Sequence, residues 1–256
     1  ATLTDRSTLR WALRELVRSG VLTSYSGGSE TVWGIGEDQH LIAAMYRNSA
    51  IHVLLLRAIA ELALLAVAEG AADSDTSAGH PALEEALRLR ELLKFDFFFA
   101  QREQFIDDLA AEIALLAGTD RSSGLDVTRE QAREWLAAAR PLVAHLALRP
   151  FLDAYRVVGE QLAALDDDET AAEAILVESC LRVGHQWSLQ RTLASEESVS
   201  GEMFRTALKL AGHRDLLRPG APYLSKRRRE FADEVTEVGN AIGRIAGRDR
   251  ARATLD

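Results

Sequence analysis

Leu9, Leu13, Leu16 and Val17 recur at helical steps near the start of the chain, a spacing that gathers their side chains on one face. Gly20 follows, the residue that most readily takes the left-handed turn closing a helix. The period then changes. Residues 21–25 and 30–35 are short β-prone runs on either side of Ser26-Gly27-Gly28-Ser29, which predicts a hairpin. Residues 1–36 therefore read as a small winged-helix-like subdomain, a helix followed by a β-hairpin.

Residues 37–256 carry helical spacing almost throughout, so the fold class expected is mostly all-α, a multi-helix domain behind that subdomain. A long helical segment runs over 37–70, with a break allowed near Asn48-Ser49. A polar loop over 71–79 then leads to Pro81 in a first helical turn. The next helix passes into Lys94-Phe95-Asp96-Phe97-Phe98-Phe99, the densest aromatic patch. Phe105, Ile106, Leu109, Ile113 and Leu116 continue to Gly118, and 119–125 reads as a loop. Asp126 or Thr128 is placed to cap a helix over 129–139, and Pro141 interrupts the chain. Helices are expected over 145–165, 171–193 and 201–212. The acidic run 166–169 suits the positive end of the helix that follows it. Phe231, Val235, Val238, Ile242 and Ile245, at alternating steps of four and three, form one apolar stripe on a last helix.

Composition agrees: alanine, leucine, arginine and glutamate dominate the 256 residues, and these side chains lose little rotamer freedom in a helix. The net charge of -9 opposes bulk attraction to nucleic acid or an anionic bilayer, while leaving room for a local basic patch. A single cysteine, Cys180, cannot form an intrachain disulfide, which fits a reducing compartment. The most hydrophobic stretch, 50–68, is long enough to span a bilayer but is interrupted by His52, Arg57 and Glu61, with Arg57 and Glu61 spaced as an i,i+4 pair. It reads as a buried core helix. The chain begins Ala1-Thr2-Leu3, without methionine or signal pattern, and reads as one entered in mid-sequence.

Candidate chemistry is sparse. The six histidines show no metal-ligand spacing, and no G-x-S-x-G, P-loop or dinucleotide fingerprint is present. No catalytic residue and no metal ligand is assigned. Arg6, Arg10, Arg14 and Arg18 make an i,i+4 ridge. With the hairpin they support an alternative reading, a winged-helix DNA-binding regulator with a helical ligand or dimerisation domain, whose mark is salt-dependent duplex binding. Arg47, Asn48 and His52 sit inside an apolar helix, as a satisfied polar seam or as a seam facing an anionic substrate cleft with Arg47 set for phosphate. Lys226, Arg227, Arg228 and Arg229 open the last helix against its dipole, as a solvated run or as a contact with membrane head groups or an acidic acyl carrier.

Glu37-Asp38-Gln39-His40-Leu41-Ile42-Ala43-Ala44-Met45-Tyr46-Arg47-Asn48-Ser49-Ala50-Ile51-His52 resembles the region after the catalytic domain of bacterial glycerol-3-phosphate acyltransferases, of actinobacterial or mycobacterial type. There a tyrosine-arginine-asparagine step precedes a histidine in an apolar helix. Residues 94–103 resemble that family's aromatic-rich, acid-containing segment, and 204–217 with the final helix are similar to its tail.

The resemblance implies acyl transfer from acyl-CoA or acyl-carrier protein to the 1-hydroxyl of glycerol 3-phosphate. That is the first step of phospholipid synthesis, at the cytoplasmic side of the cell membrane, with no cofactor. The family uses a histidine and an aspartate separated by four residues, the histidine as general base. This sequence departs there: the fifth residue after each histidine is Met45, Arg57, Glu85, Pro150, Gln190 and Arg218 in turn. The expected partners are thus an upstream acyltransferase domain and a peripheral membrane surface, with no nucleic acid. The chain alone is expected to be inactive. Arg47 and His52 are the residues expected to face the substrate cleft, within a helical accessory domain over 37–256.

Overall fold

The computed structural model describes residues 6–28, 30–36, 39–70, 80–118, 125–169 and 172–253. They form two compact units, Ala1–His52 and Val53–Asp256. The loops expected over 71–79 and most of 119–125 lie outside the described residues.

In the first unit, α1 (Arg6–Arg18) ends at Gly20, where φ is 76° and the following Val21 N–H returns to the Leu16 carbonyl at 2.9 Å. Strand β1 (Leu22–Tyr25) pairs antiparallel with β2 (Val32–Ile35), Leu22 opposite Ile35 and Tyr25 opposite Val32. The helix and hairpin read from the sequence are both present, so this end is winged-helix-like. Val21 is buried at their junction, whereas Leu9 and Trp11 stay exposed.

Helix α2 (His40–Glu69) runs without the break allowed for at Asn48-Ser49, and the boundary between the units falls inside it. The polar pair occupies a stretch flanked by good helix formers, and no proline or glycine stops propagation there. Its character changes along its length. Met45, Tyr46 and Val53 are exposed, while every residue from Ala58 to Leu65 is buried. A helix that is apolar all round belongs inside a protein. The stretch Ala50–Glu69 is the one segment among the described residues long and apolar enough to cross a membrane by length and composition, and most of it is buried.

The second unit continues with α3 (Pro81–Leu93), α4 (Arg102–Ala117), α5 (Arg129–Ala138), the short α6 (Ala144–Ala147), α7 (Arg149–Ala163), α8 (Glu173–Leu189), a 3-10 turn (Glu196–Ser198), α9 (Gly201–His213) and α10 (Leu224–Ala253). Its centre is the pair α7 and α10. Phe231, Val235, Val238, Ile242 and Ile245 are all buried, as the stripe requires. Opposite them α7 buries Leu152, Tyr155, Val158 and Leu162. Gly159 lets the two backbones close: a Cβ there would stand 3.0 Å from the Ala232 Cα and 3.2 Å from a Val235 methyl, tighter than packed carbon atoms tolerate.

Several boundaries differ from the sequence reading, each for a local reason. Thr128, not Asp126, caps α5, in a reciprocal box with Gln131, while Asp126 meets His80 at 2.6 Å. The single helix expected over 145–165 is two, because Pro150 lacks the N–H that would continue α6 and instead occupies the first turn of α7. Within the acidic run 166–169, Asp167 is spent on the start of α10. Asp167 accepts hydrogen bonds from the Ser225 N–H and hydroxyl, both at 2.5 Å, and these partners hold its carboxyl below the usual carboxylate range.

Candidate functional site

Two buried ion sites fix the frame on which the exposed chemistry is carried. Glu61 on α2 is fully buried, and its oxygens accept N–H bonds from Val143 at 2.9 Å and Ala144 at 2.8 Å, at the start of α6. Arg57 reaches it at 3.2 Å and touches Glu112 at 3.4 Å, so the i,i+4 pair read from the sequence is real and extends to α4. Burial dominates the charge state: the Glu61 carboxyl is pushed up to about 7, against the lowering effect of the two N–H groups and Arg57.

The second site is Arg228, also fully buried. Its guanidinium donates to the Leu216 carbonyl at 2.9 Å, to Asp166 at 2.7 Å and to Glu169 at 3.3 Å. These carbonyls lie just past the ends of α7 and α9, where the last helical carbonyls and the turns after them need donors. The basic run therefore divides. Arg228 is withdrawn from any surface contact, because all of its side chain is spent inside. Arg227 is half-buried and donates to the Arg214 carbonyl at 2.5 Å, whereas Lys226 and Arg229 are exposed. Tyr223 beside them is 79% exposed.

Arg227 also lines a cleft of about 420 Å³ with Arg214, Leu216, Glu230, Phe231 and Glu234. Arg214 pairs with Glu234 and lies over the Phe231 ring, 5.4 Å from its centroid. Arg88 on α3 approaches the same carboxylate at 3.4 Å while holding Glu85 at 2.7 Å. Each described arginine here has an acidic or carbonyl partner, so the cleft is charge-balanced.

Next along the surface is the aromatic segment 94–99. Phe95 meets the His213 ring edge-on at 5.9 Å, Phe97 packs on Phe151 at 4.8 Å, and Phe99 packs on Phe105 at 5.8 Å. Asp96 accepts the Tyr155 hydroxyl at 2.5 Å. Burial pushes the Asp96 carboxyl up to about 6 and drives the Tyr155 phenol upward as well. Phe98 is the most exposed residue of the segment, and Phe95 is partly exposed beside its His213 contact.

The remaining candidates are dispersed. His52 is exposed on α2, and Arg47 lies in the same helix with its side chain outside the described residues. Of the arginine ridge, Arg10 and Arg14 line an open concavity of about 1010 Å³ between α1 and the hairpin, with Trp33 and the hydroxyls of Ser24, Ser26 and Thr31. Arg18 is turned to Glu15. Cys180 is buried and its thiol is pushed up to about 12, the state of an inert thiol. Among the described residues, no three His, Cys, Asp or Glu side chains gather to hold a metal ion.

This is a helical region with a buried polar frame and a patterned surface. The chain belongs to the glycerol-3-phosphate acyltransferase C-terminal region family, whose model matches residues 1–220. It is similar to "Putative acyltransferase plsB1" of Mycobacterium bovis and of two strains of Mycobacterium tuberculosis, 51% identical over 249 residues in each case. The match covers 96% of this chain and 39% of those relatives, so the chain spans well under half of their length. No solved structure matches the chain.

Proposed function

We propose that this chain is the C-terminal helical portion of a glycerol-3-phosphate 1-O-acyltransferase, packing on and supporting an upstream catalytic domain that holds the reactive residues. In this reading the parent protein moves an acyl group from acyl-CoA or acyl-carrier protein to glycerol 3-phosphate. Residues 1–36 and 37–256 act as a winged-helix-like subdomain and a helical accessory domain, and Arg47 and His52 face the substrate cleft. The observation that carries it is the family match over residues 1–220, in a chain that spans 39% of its acyltransferase-named relatives. The sequence adds support, since no histidine here has the aspartate that the family's chemistry needs. The test is acyl transfer by the full-length parent protein with glycerol 3-phosphate and a long-chain acyl-CoA. The expected product is the 1-acyl ester. Absence of acylation with either donor would refute the activity.

The same reading places the protein peripherally at the cytoplasmic face of the membrane, with Lys226 and Arg229 meeting anionic head groups and Tyr223 at the interface. Their exposure beside one another supports it. Sedimentation of the parent with anionic vesicles should fall when Lys226→Ser and Arg229→Ser are combined. Equal sedimentation would remove the basic pair from the contact.

A further inference from the structure

Phe98 is the most exposed large apolar residue among those described, at 105% of its reference area, while its neighbours are pinned. On one side Asp96 is bound to Tyr155 and Phe97 is packed on Phe151; on the other Phe99 is packed on Phe105. The segment's far end is held by Arg90, whose guanidinium donates to the Ala100 carbonyl at 3.0 Å and lies within 6 Å of both the Phe99 and Phe105 rings. The backbone that presents Phe98 is therefore fixed before anything binds it. A mobile loop would lose entropy on docking, but this one has already lost it in folding. Such a rigidly held aromatic, standing clear of its own surface, has the properties of an interface anchor.

We propose that Phe98 is the anchor by which this region docks into an apolar socket on the catalytic domain of the parent acyltransferase. The proposal rests on the reading given under Proposed function. Two observations favour a protein socket over a lipid surface. The chain spans 39% of its relatives, so most of each relative's length lies outside it and is available as a partner. The stretch of sequence that carries Phe98 is also acidic on balance, with Glu91, Asp96, Glu103, Asp107 and Asp108 against Arg90, Lys94 and Arg102 over residues 90–108. An anionic bilayer repels that balance, and one phenylalanine gives too little area to overcome the repulsion. Phe95, 42% exposed and braced on His213, widens the contact on one side.

The experiment places the photoreactive residue p-benzoylphenylalanine at position 98 of the full-length parent in native membranes, and maps the adduct by mass spectrometry. The expected adduct joins position 98 to the preceding acyltransferase domain. In parallel, Phe98→Ser should lower acyl transfer by about 10-fold or more, the scale of a lost interface anchor. Phe98→Leu, which keeps an apolar side chain, should retain most of it. Melting of the region itself should not move, because a fully exposed side chain contributes little to the fold. An adduct on lipid, on a second copy of the chain, or on nothing would overturn the proposal, as would a fully active Phe98→Ser parent. The adduct reports docking whether or not the parent turns over. Failure of the acyltransferase reading therefore shows separately, as an intrachain adduct in a protein without acyl transfer.

Discussion

Replacing Glu61 by alanine is expected to lower stability by about 3 kcal/mol, chiefly the cost of leaving two buried N–H groups without an acceptor. For a domain of this size that corresponds to a melting temperature roughly 10 °C lower. The loss has two sources. The Val143 and Ala144 N–H groups are left in a dry interior without an acceptor, and Arg57 keeps only its longer contact with Glu112. Glu61→Gln keeps an oxygen for one N–H and should lose less. The same carboxyl gives stability a pH dependence whose sign is fixed. Its value rises from 4.5 to about 7 on folding, so the folded chain holds the proton more tightly. Its contribution is complete at low pH and is lost as pH rises through about 7. Asp96, raised from 3.8 to about 6, acts in the same direction at lower pH. His145, held below its ordinary 6.5 by burial, acts in the opposite direction in the acid range. The clean window therefore lies above pH 6.5. Melting temperatures of the unmodified chain should fall between about pH 6.5 and 8, and the Glu61→Gln slope should be flatter. Parallel slopes, or a Glu61→Ala protein that melts within 2 °C of the original, would contradict this account of the buried carboxylate.

Arg228→Ala carries the second large effect, about 3 kcal/mol, because carbonyls from Leu216, Asp166 and Glu169 lose their donor together. Arg228→Lys should restore little of it. A guanidinium spreads its N–H groups across a plane that meets carbonyls from two chain segments, whereas an ammonium is a single point on a shorter reach. The neighbours in the same run behave differently. Lys226→Ser and Arg229→Ser remove exposed side chains, of which Lys226 makes only a long surface contact with Glu230 at 3.6 Å, and should leave thermal unfolding unmoved. Thermal melts of the four variants decide the matter. An Arg228→Ala protein as stable as the Lys226 and Arg229 variants would return Arg228 to the surface role that the sequence alone suggested.

That divided run shows what sequence patterning reveals and where it stops. Leu224, Arg228, Phe231, Val235, Val238, Ile242 and Ile245 follow one another at steps of four and three, and all seven are buried. The position of Arg228 on the apolar stripe was therefore legible, but three adjacent basic residues masked it as part of a charge run. Its carbonyl partners lie about sixty residues earlier and twelve earlier, which no local pattern indicates. Glu61 is similar: the i,i+4 spacing revealed Arg57, while Val143 and Ala144 became neighbours only through tertiary packing. The helices, the hairpin and the α10 stripe were legible because period and turn residues are local properties. The break at Pro150 was legible too, since proline cannot continue α6, but the apolar spacing on either side of it suggests one continuous helix. The aromatic segment stood out by composition, but which phenylalanine faces outward depends on Tyr155, Phe151 and Phe105, residues brought to it by the fold.

The division of labour between this chain and an upstream catalytic domain is the central claim of the proposed function. Acyl transfer to glycerol 3-phosphate, measured side by side for this chain alone and for the full-length parent at equal molar amounts, tests it most directly. The expected result is 1-acylglycerol 3-phosphate from the parent and none above the enzyme-free rate from the chain. Robust turnover by the chain alone would contradict it.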